Sequence, residues 1–183
     1  MDIKKQTSSR MDKTVAALVE ALGKIRSGRA HGGLLDNIMV NCYGSDMPLA
    51  QLATVSVSDA RTLTVMVWDK QNAAAAEKAI RDSDLGVNPA ASGLNIRVTM
   101  PDLSEERRRD LGKVVGREAE EARIAVRNIR RDAVAEVKTA VKDKEIGEDE
   151  GRRLEQEIEK STKEAVGKID KLATDKQQEL MTV

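Results

Sequence analysis

Aromatic side chains are almost missing from this chain: its 183 residues hold one Trp, one Tyr and no Phe. Recognition of single-stranded RNA relies on aromatic stacking platforms, so that class of binder is set aside. Cys42 is the only cysteine and His31 the only histidine, which excludes an internal disulfide and any Cys/His zinc cluster. Cys42 lies in an apolar run and reads as an inert core thiol. Long hydrophobic runs are absent too. Nothing approaches the roughly 20 apolar residues of a membrane span, and Met1-Asp2-Ile3-Lys4-Lys5-Gln6 has no signal-peptide core. A cytoplasmic protein without a membrane partner is expected.

Catalytic constellations are equally scarce. His31 stands beside two glycines with no triad partners, and Gly28, Gly32 and Gly33 lead into no P-loop lysine. Asp59, Asp69 and Asp84 neighbour turn-like sequence and read as strand and turn caps. The expectation is a non-enzyme with no cofactor, no metal and no small-molecule substrate.

What is present is periodicity. Met11, Val15, Leu18, Leu22 and Ile25 draw one apolar stripe on a helix running from about Asp2 to Arg29, closed by Gly28 and Gly32-Gly33. From Ser104, placed as an N-cap, a second stripe runs through Val115, Ala119, Ala122, Val126, Ile129, Ala133, Val137 and Ala140. After a break at Ile146-Gly147-Glu148-Asp149, a third follows Leu154, Ile158, Thr162, Ala165, Ile169, Leu172 and Leu180. With almost no aromatics, these stripes must pack through slim aliphatic side chains, which suits helix on helix.

Between them the period falls toward two. Ile38-Met39-Val40, Val55 with Val57, Leu63 to Val67, and Ile96 to Val98 read as strands; Ala73 to Ser83 reads as a helix, and Asn88-Pro89 as a turn. The fold class expected is α+β: an elongated antiparallel three-helix bundle (residues 1–30 and 104–183) with an inserted small β/α/β domain (residues 31–103). Two chain crossings join the domains. His31 and the paired glycines Gly32 and Gly33, with little side chain to wedge the first crossing, read as a hinge that allows relative motion. Ala30 and, in the second crossing, Pro101, Asp102, Leu103 and Ser104 complete the hinge set.

The neutral total, 31 basic against 31 acidic residues, conceals an asymmetry. Residues 32–103 carry eight acidic and five basic side chains, so the remainder is net positive. Within residues 122–131, Arg123, Arg127, Arg130 and Arg131 occur with no acid. At about 100° per residue they share an arc roughly 100° wide beside the apolar seam. Guanidinium forks suit the phosphates of structured RNA. A charged face balanced by acids of neighbouring helices fits the same residues. Arg26 and Arg29, three apart, extend the basic face if that helix end lies alongside.

Several segments in order resemble the ribosome recycling factor family. They include Arg26-Ser27-Gly28-Arg29-Ala30, Tyr43-Gly44, Pro48-Leu49, Gln51-Leu52-Ala53, Trp68-Asp69-Lys70 and Glu77-Lys78-Ala79-Ile80. Ser83-Asp84-Leu85-Gly86, Asn88-Pro89, Ser104 to Arg108, Arg123 to Asp132 and Lys142 to Ile146 continue the series. The resemblance implies an L-shaped monomer that binds the large ribosomal subunit after termination and splits ribosomes with elongation factor G and GTP, hydrolysis belonging to that partner. It implies further that Arg26, Arg29, Arg127 and Arg130 face ribosomal RNA; Arg123 and Arg131 join them on helical geometry. Two departures stand out. His31-Gly32-Gly33 occupies a crossing where relatives often carry proline, and Gly112, Gly116, Gly151 and Gly167 load the long helices.

Overall fold

The computed structural model describes residues 2–182, and the chain divides into two compact units. One holds the residues up to Arg26 together with Glu105–Thr182; the other is Ser27–Ser104.

The first unit is three helices, α1 (Ile3–Gly23), α3 (Glu105–Lys142) and α4 (Glu148–Met181). Asp2 caps α1 by accepting from the Lys5 amide at 3.1 Å. Glu105 and Glu106 place negative charge at the start of α3, where the exposed amides favour it. All eight residues of the α3 stripe are buried, joined by Leu111. In α1 the stripe holds at Met11, Leu18 and Leu22, whereas Val15 and Ile25 are only half-buried and Thr7 takes a core place. Buried Thr7 and Thr162 satisfy their hydroxyls on the carbonyls of Ile3 and Ile158, one turn back, at 2.7 and 2.8 Å.

Cross-helix pairs fix the directions. Arg130 meets Glu159 and Arg123 meets Asp170, so α3 and α4 are antiparallel. Lys4 meets Glu157 and Ser8 meets Ser161, so α1 runs parallel to α4.

The helix expected to reach Arg29 ends instead at Gly23, capped at Lys24. Arg26 and Arg29 therefore lie beyond the helix and do not continue its face. Ser27–Ala30 belong to the second unit: the Ala30 amide donates to the Ala60 carbonyl at 2.8 Å, and Ala30 is buried in that unit's core. The domain boundary thus falls at Arg26–Ser27 rather than after Ala30, and at Ser104–Glu105 on the return.

The second unit pairs a hairpin, β1 (Met39–Cys42) with β2 (Ser45–Pro48), and an antiparallel four-stranded sheet in the order β3-β4-β6-β5. Its strands are β3 (Ala53–Asp59), β4 (Thr62–Val67), β5 (Asn88–Ser92) and β6 (Asn95–Thr99). Leu63, Val65 and Val67 alternate onto the inner face with Ile96 and Val98, and α2 (Lys70–Arg81) covers them with Ala73, Ala76 and Ile80. Cys42 is buried in this core. Trp68 and Tyr43 are both on the surface, so this core is aliphatic as well. Asn88-Pro89 is not a turn but the start of an edge strand, where proline's missing amide leaves no inner ladder bond unmade.

The segments expected to act as a hinge are built into this unit. His31 precedes a short 3-10 helix, Gly32–Leu35, and Ala30 is held as described. On the return, Arg61 donates to the Met100 carbonyl at 2.9 Å and pairs with Asp102 at 2.5 Å. Gly28, at φ +76°, sits where a Cβ would lie 3.4 Å from Leu103 and 3.7 Å from the Pro101 carbonyl. A glycine allows this left-handed turn without strain.

The helix glycines differ in kind. A Cβ at Gly151 would come 2.6 Å from Cγ2 of Val141, whereas one at Gly167 meets nothing within 4 Å. Gly151→Ala should therefore destabilise the protein by about 1–3 kcal/mol through overpacking. Gly167→Ala should stabilise it by about 0.5–1 kcal/mol. Urea unfolding of both variants checks the opposite signs.

Candidate nucleic-acid interface

The surface of α3 is set by its core side. With Val126 buried, positions 123, 127, 130 and 131 fall on the flank, and all four arginines lie there. Three of the four meet carboxylates, as a face balanced by neighbouring acids would. Arg123 is the most enclosed, its side chain 24% exposed. Its Nε donates to Asp170 of α4 at 2.8 Å, and its other nitrogens reach Asp170 at 2.7 Å and Glu120 at 3.1 Å. The Asp170 carboxylate raises its pKa further above the ordinary arginine value. Arg127 reaches the second Glu120 oxygen at 3.4 Å, and Arg130 meets Glu159 of α4 at 3.1 Å. Arg131 donates to Asn128 at 3.1 Å and has no carboxylate partner among the described residues.

A ten-residue window sees only chain neighbours, whereas the balancing acids come from the turn before it and from the antiparallel helix beside it. The pairs are not of one strength. Arg127 and Arg130 are about half exposed, at 58% and 49%, and such surface pairs contribute only about 0–1 kcal/mol. Phosphate can replace those carboxylates at little cost. Arg123, forked between two acids, is instead a strut joining α3 to α4.

Other cations on the same flank follow the 3–4 spacing beyond the arginine cluster. Lys138 lies seven residues, two turns, beyond Arg131 and joins Ile124, Arg127, Asn128, Arg130 and Arg131 around an open depression. Lys113, Arg117 and Lys142 are exposed as well, and with Lys138 they have no ion pair among the described residues. Extending the angular count along the whole helix would have found them. Arg26 and Arg29 are exposed, one in each unit.

The described residues contain no group of three or more His, Cys, Asp or Glu arranged to hold a metal, and no helix long and apolar enough to cross a membrane. Asp69 caps α2, accepting from the Gln71 amide at 3.0 Å, and Asp59 accepts from the Arg61 amide at 2.9 Å. That amide holds the Asp59 carboxyl below its ordinary range. Asp59 closes a strand end as its sequence context suggests, whereas Asp69 caps a helix rather than a strand or turn.

Comparison with known proteins gives a consistent result. The family model described as ribosome recycling factor matches residues 18–181. The ribosome-recycling factor of Thioalkalivibrio sulfidiphilus is 55% identical over 181 residues, covering 99% of this chain and 98% of the relative. That of Cupriavidus metallidurans is 53% identical over 182 residues, covering 100% and 98%. A solution structure of the ribosome recycling factor aligns with a TM-score of 0.75 at 38% identity, covering 100% of this chain and 97% of that one. A second structure shows Thermus thermophilus ribosome recycling factor and Escherichia coli elongation factor G on the E. coli post-termination complex. It aligns with a TM-score of 0.64 at 45% identity, covering 98% and 97%.

The two kinds of arginine are separable by stability. Arg123→Ala should cost about 1–2 kcal/mol, as lost hydrogen bonds to charged groups do, while Arg131→Ala should stay within about 0.5 kcal/mol. Equilibrium urea denaturation of the two variants measures the difference.

Proposed function

The chain belongs to the ribosome recycling factor family, and from that premise we propose that it binds the large ribosomal subunit of post-termination complexes and, with elongation factor G and GTP, splits the ribosome into subunits. The observation that carries this is the likeness over the full chain at 55% identity, joined to an exposed cationic flank on α3. The bundle holds ribosomal RNA through Arg127, Arg130 and Arg131, with Arg26 and Arg29 adding contacts as the family pattern implies. The inserted unit takes the push of elongation factor G.

Hydrolysis of GTP is that partner's work, so the chain acts as a translation factor without catalysis of its own. It works in the cytoplasm, where ribosomes are. Phosphate gripping by guanidinium forks releases counterions, which makes binding both strong and salt-dependent. The buried stripes of α1, α3 and α4 face one another within one chain, which supports a monomer.

Purified protein, elongation factor G and GTP should split post-termination ribosomes in a light-scattering assay, and absence of splitting would sink this function. Replacing Arg127 and Arg130 together by Ala should weaken large-subunit binding and reduce its salt slope by about two, near one per lost phosphate contact. Unchanged binding would remove these arginines from the interface. Size-exclusion chromatography with light scattering should give a single chain; a dimer would favour a coiled-coil scaffold instead.

A further inference from the structure

Among the described residues of α3, Ile124 alone is an exposed large hydrophobic side chain, at 47%. It lies about 160° round the helix from the buried Ala122 and Val126, so it points away from the bundle core. Helical spacing makes Arg127 and Asn128 its neighbours, three and four residues on, and Arg131 closes the four-sided group. With Ala135 and Lys138 these residues line an open depression of about 610 Å³, within the range of about 300–1,000 Å³ typical of small-molecule sites.

The depression offers two chemistries side by side. Ile124 and Ala135 present carbon, while Arg127, Arg131 and Lys138 present positive charge. Arg131 donates to the Asn128 side-chain oxygen at 3.1 Å, which leaves the Asn128 amide nitrogen, a double donor, without a partner among the described residues. Phosphates alone ask only for cations. An exposed isoleucine beside a free amide fits a group that is apolar on its face, polar at its edge and joined to phosphates, and a nucleotide is such a group.

We propose that this depression seats one nucleotide extruded from folded RNA: its base lies against Ile124 and Ala135, its edge meets the Asn128 amide, and its flanking phosphates rest on Arg127 and Arg131. This inference rests on the function proposed above and names the RNA feature that the flank selects. Without an aromatic platform the site does not suit a run of stacked bases. Apolar side chains and guanidinium planes do hold single unstacked bases. In a continuous duplex the bases cover one another's faces, and the grooves offer only edges, ribose and phosphate, so Ile124 gains nothing there. Phosphate contacts are common to both kinds of RNA and cancel in their comparison, whereas the apolar contact is made by one of them only.

Two RNA hairpins of non-ribosomal sequence, identical except that one carries a single unpaired adenosine in its stem, provide the comparison. The full-length wild type, Ile124→Ala and Ile124→Leu are titrated over a salt series against both hairpins and against purified large subunits. The wild type should favour the bulged hairpin. Ile124→Ala should weaken binding to the bulged hairpin and to large subunits about three- to fivefold, the size of a small apolar contact. Its salt slope should stay unchanged, because no phosphate contact is lost. On the paired hairpin it should remain within about 1.5-fold of wild type, which also shows the fold intact. Ile124→Leu keeps the apolar floor and should stay near wild type on all three targets.

Loss by Ile124→Ala of the same factor on both hairpins, or on neither, would overturn the inference. Weaker binding to large subunits with no loss on the bulged hairpin would set Ile124 against a ribosomal protein and overturn it as well. If the wild type fails to bind large subunits, the proposed function falls first and this inference with it. If the wild type binds them and Ile124→Ala binds them equally well, only the inference falls.

Discussion

A helix in a folded protein draws most of its stability from packing one apolar face, and the way α3 buries its stripe from Leu111 to Ala140 against α1 and α4 constrains the rest of the bundle. The stripe is narrow and almost wholly Ala, Val, Ile and Leu, so the helices approach closely and the rotation of each about its own axis is fixed. Once Val126 and Ile129 point inward, Arg123, Arg127, Arg130 and Arg131 have no choice but the flank. The small side chains also permit contacts that a bulkier core would forbid, such as Gly151 against Val141. The proposed RNA-binding surface is a consequence of core geometry before it is a matter of charge.

Charge on that surface is graded. Arg123 is consumed in holding α3 to α4, Arg127 and Arg130 are held loosely by carboxylates, and Arg131 hydrogen-bonds to Asn128 with no carboxylate partner among the described residues. Loosely paired arginines suit RNA binding because the guanidinium is already oriented and its partner can be exchanged for a phosphate with little net loss. A wholly unpaired flank would attract any polyanion. The interleaved acids keep the chain's balance neutral while leaving cations at both ends of α3 exposed.

The inserted unit obeys another logic. Its sheet buries Leu63, Val65 and Val67 beneath α2 and leaves Tyr43 and Trp68 outside, so the only two aromatic residues contribute surface rather than core. Arg61 clasps the returning chain through Met100 and Asp102, and Gly28 packs against Leu103. The segments that cross between the units are thereby anchored in the insert. Glycine at 32 and 33 serves a short 3-10 turn rather than a slack linker.

The chain's own pattern determined much of this. Three helices, an interposed α+β unit, the buried face of each long helix and the four-arginine cluster are all written in periodicities that span only a few neighbouring residues, because backbone geometry repeats locally. The helix end at Gly23 is closed locally, the Ile25 amide donating to the Leu22 carbonyl at 3.1 Å, whereas the edge strand at Asn88-Pro89 and the anchoring of Ala30 were not legible, since each depends on partners that are distant in sequence. The partners of the arginines were hidden for the same reason. Asp170 and Glu159 lie 47 and 29 residues from Arg123 and Arg130, and only the antiparallel packing of α4 on α3 brings them within reach. Local spacing decides which face a side chain takes; tertiary packing decides what meets it there, because Coulomb attraction and hydrogen bonds act across space and not along the chain.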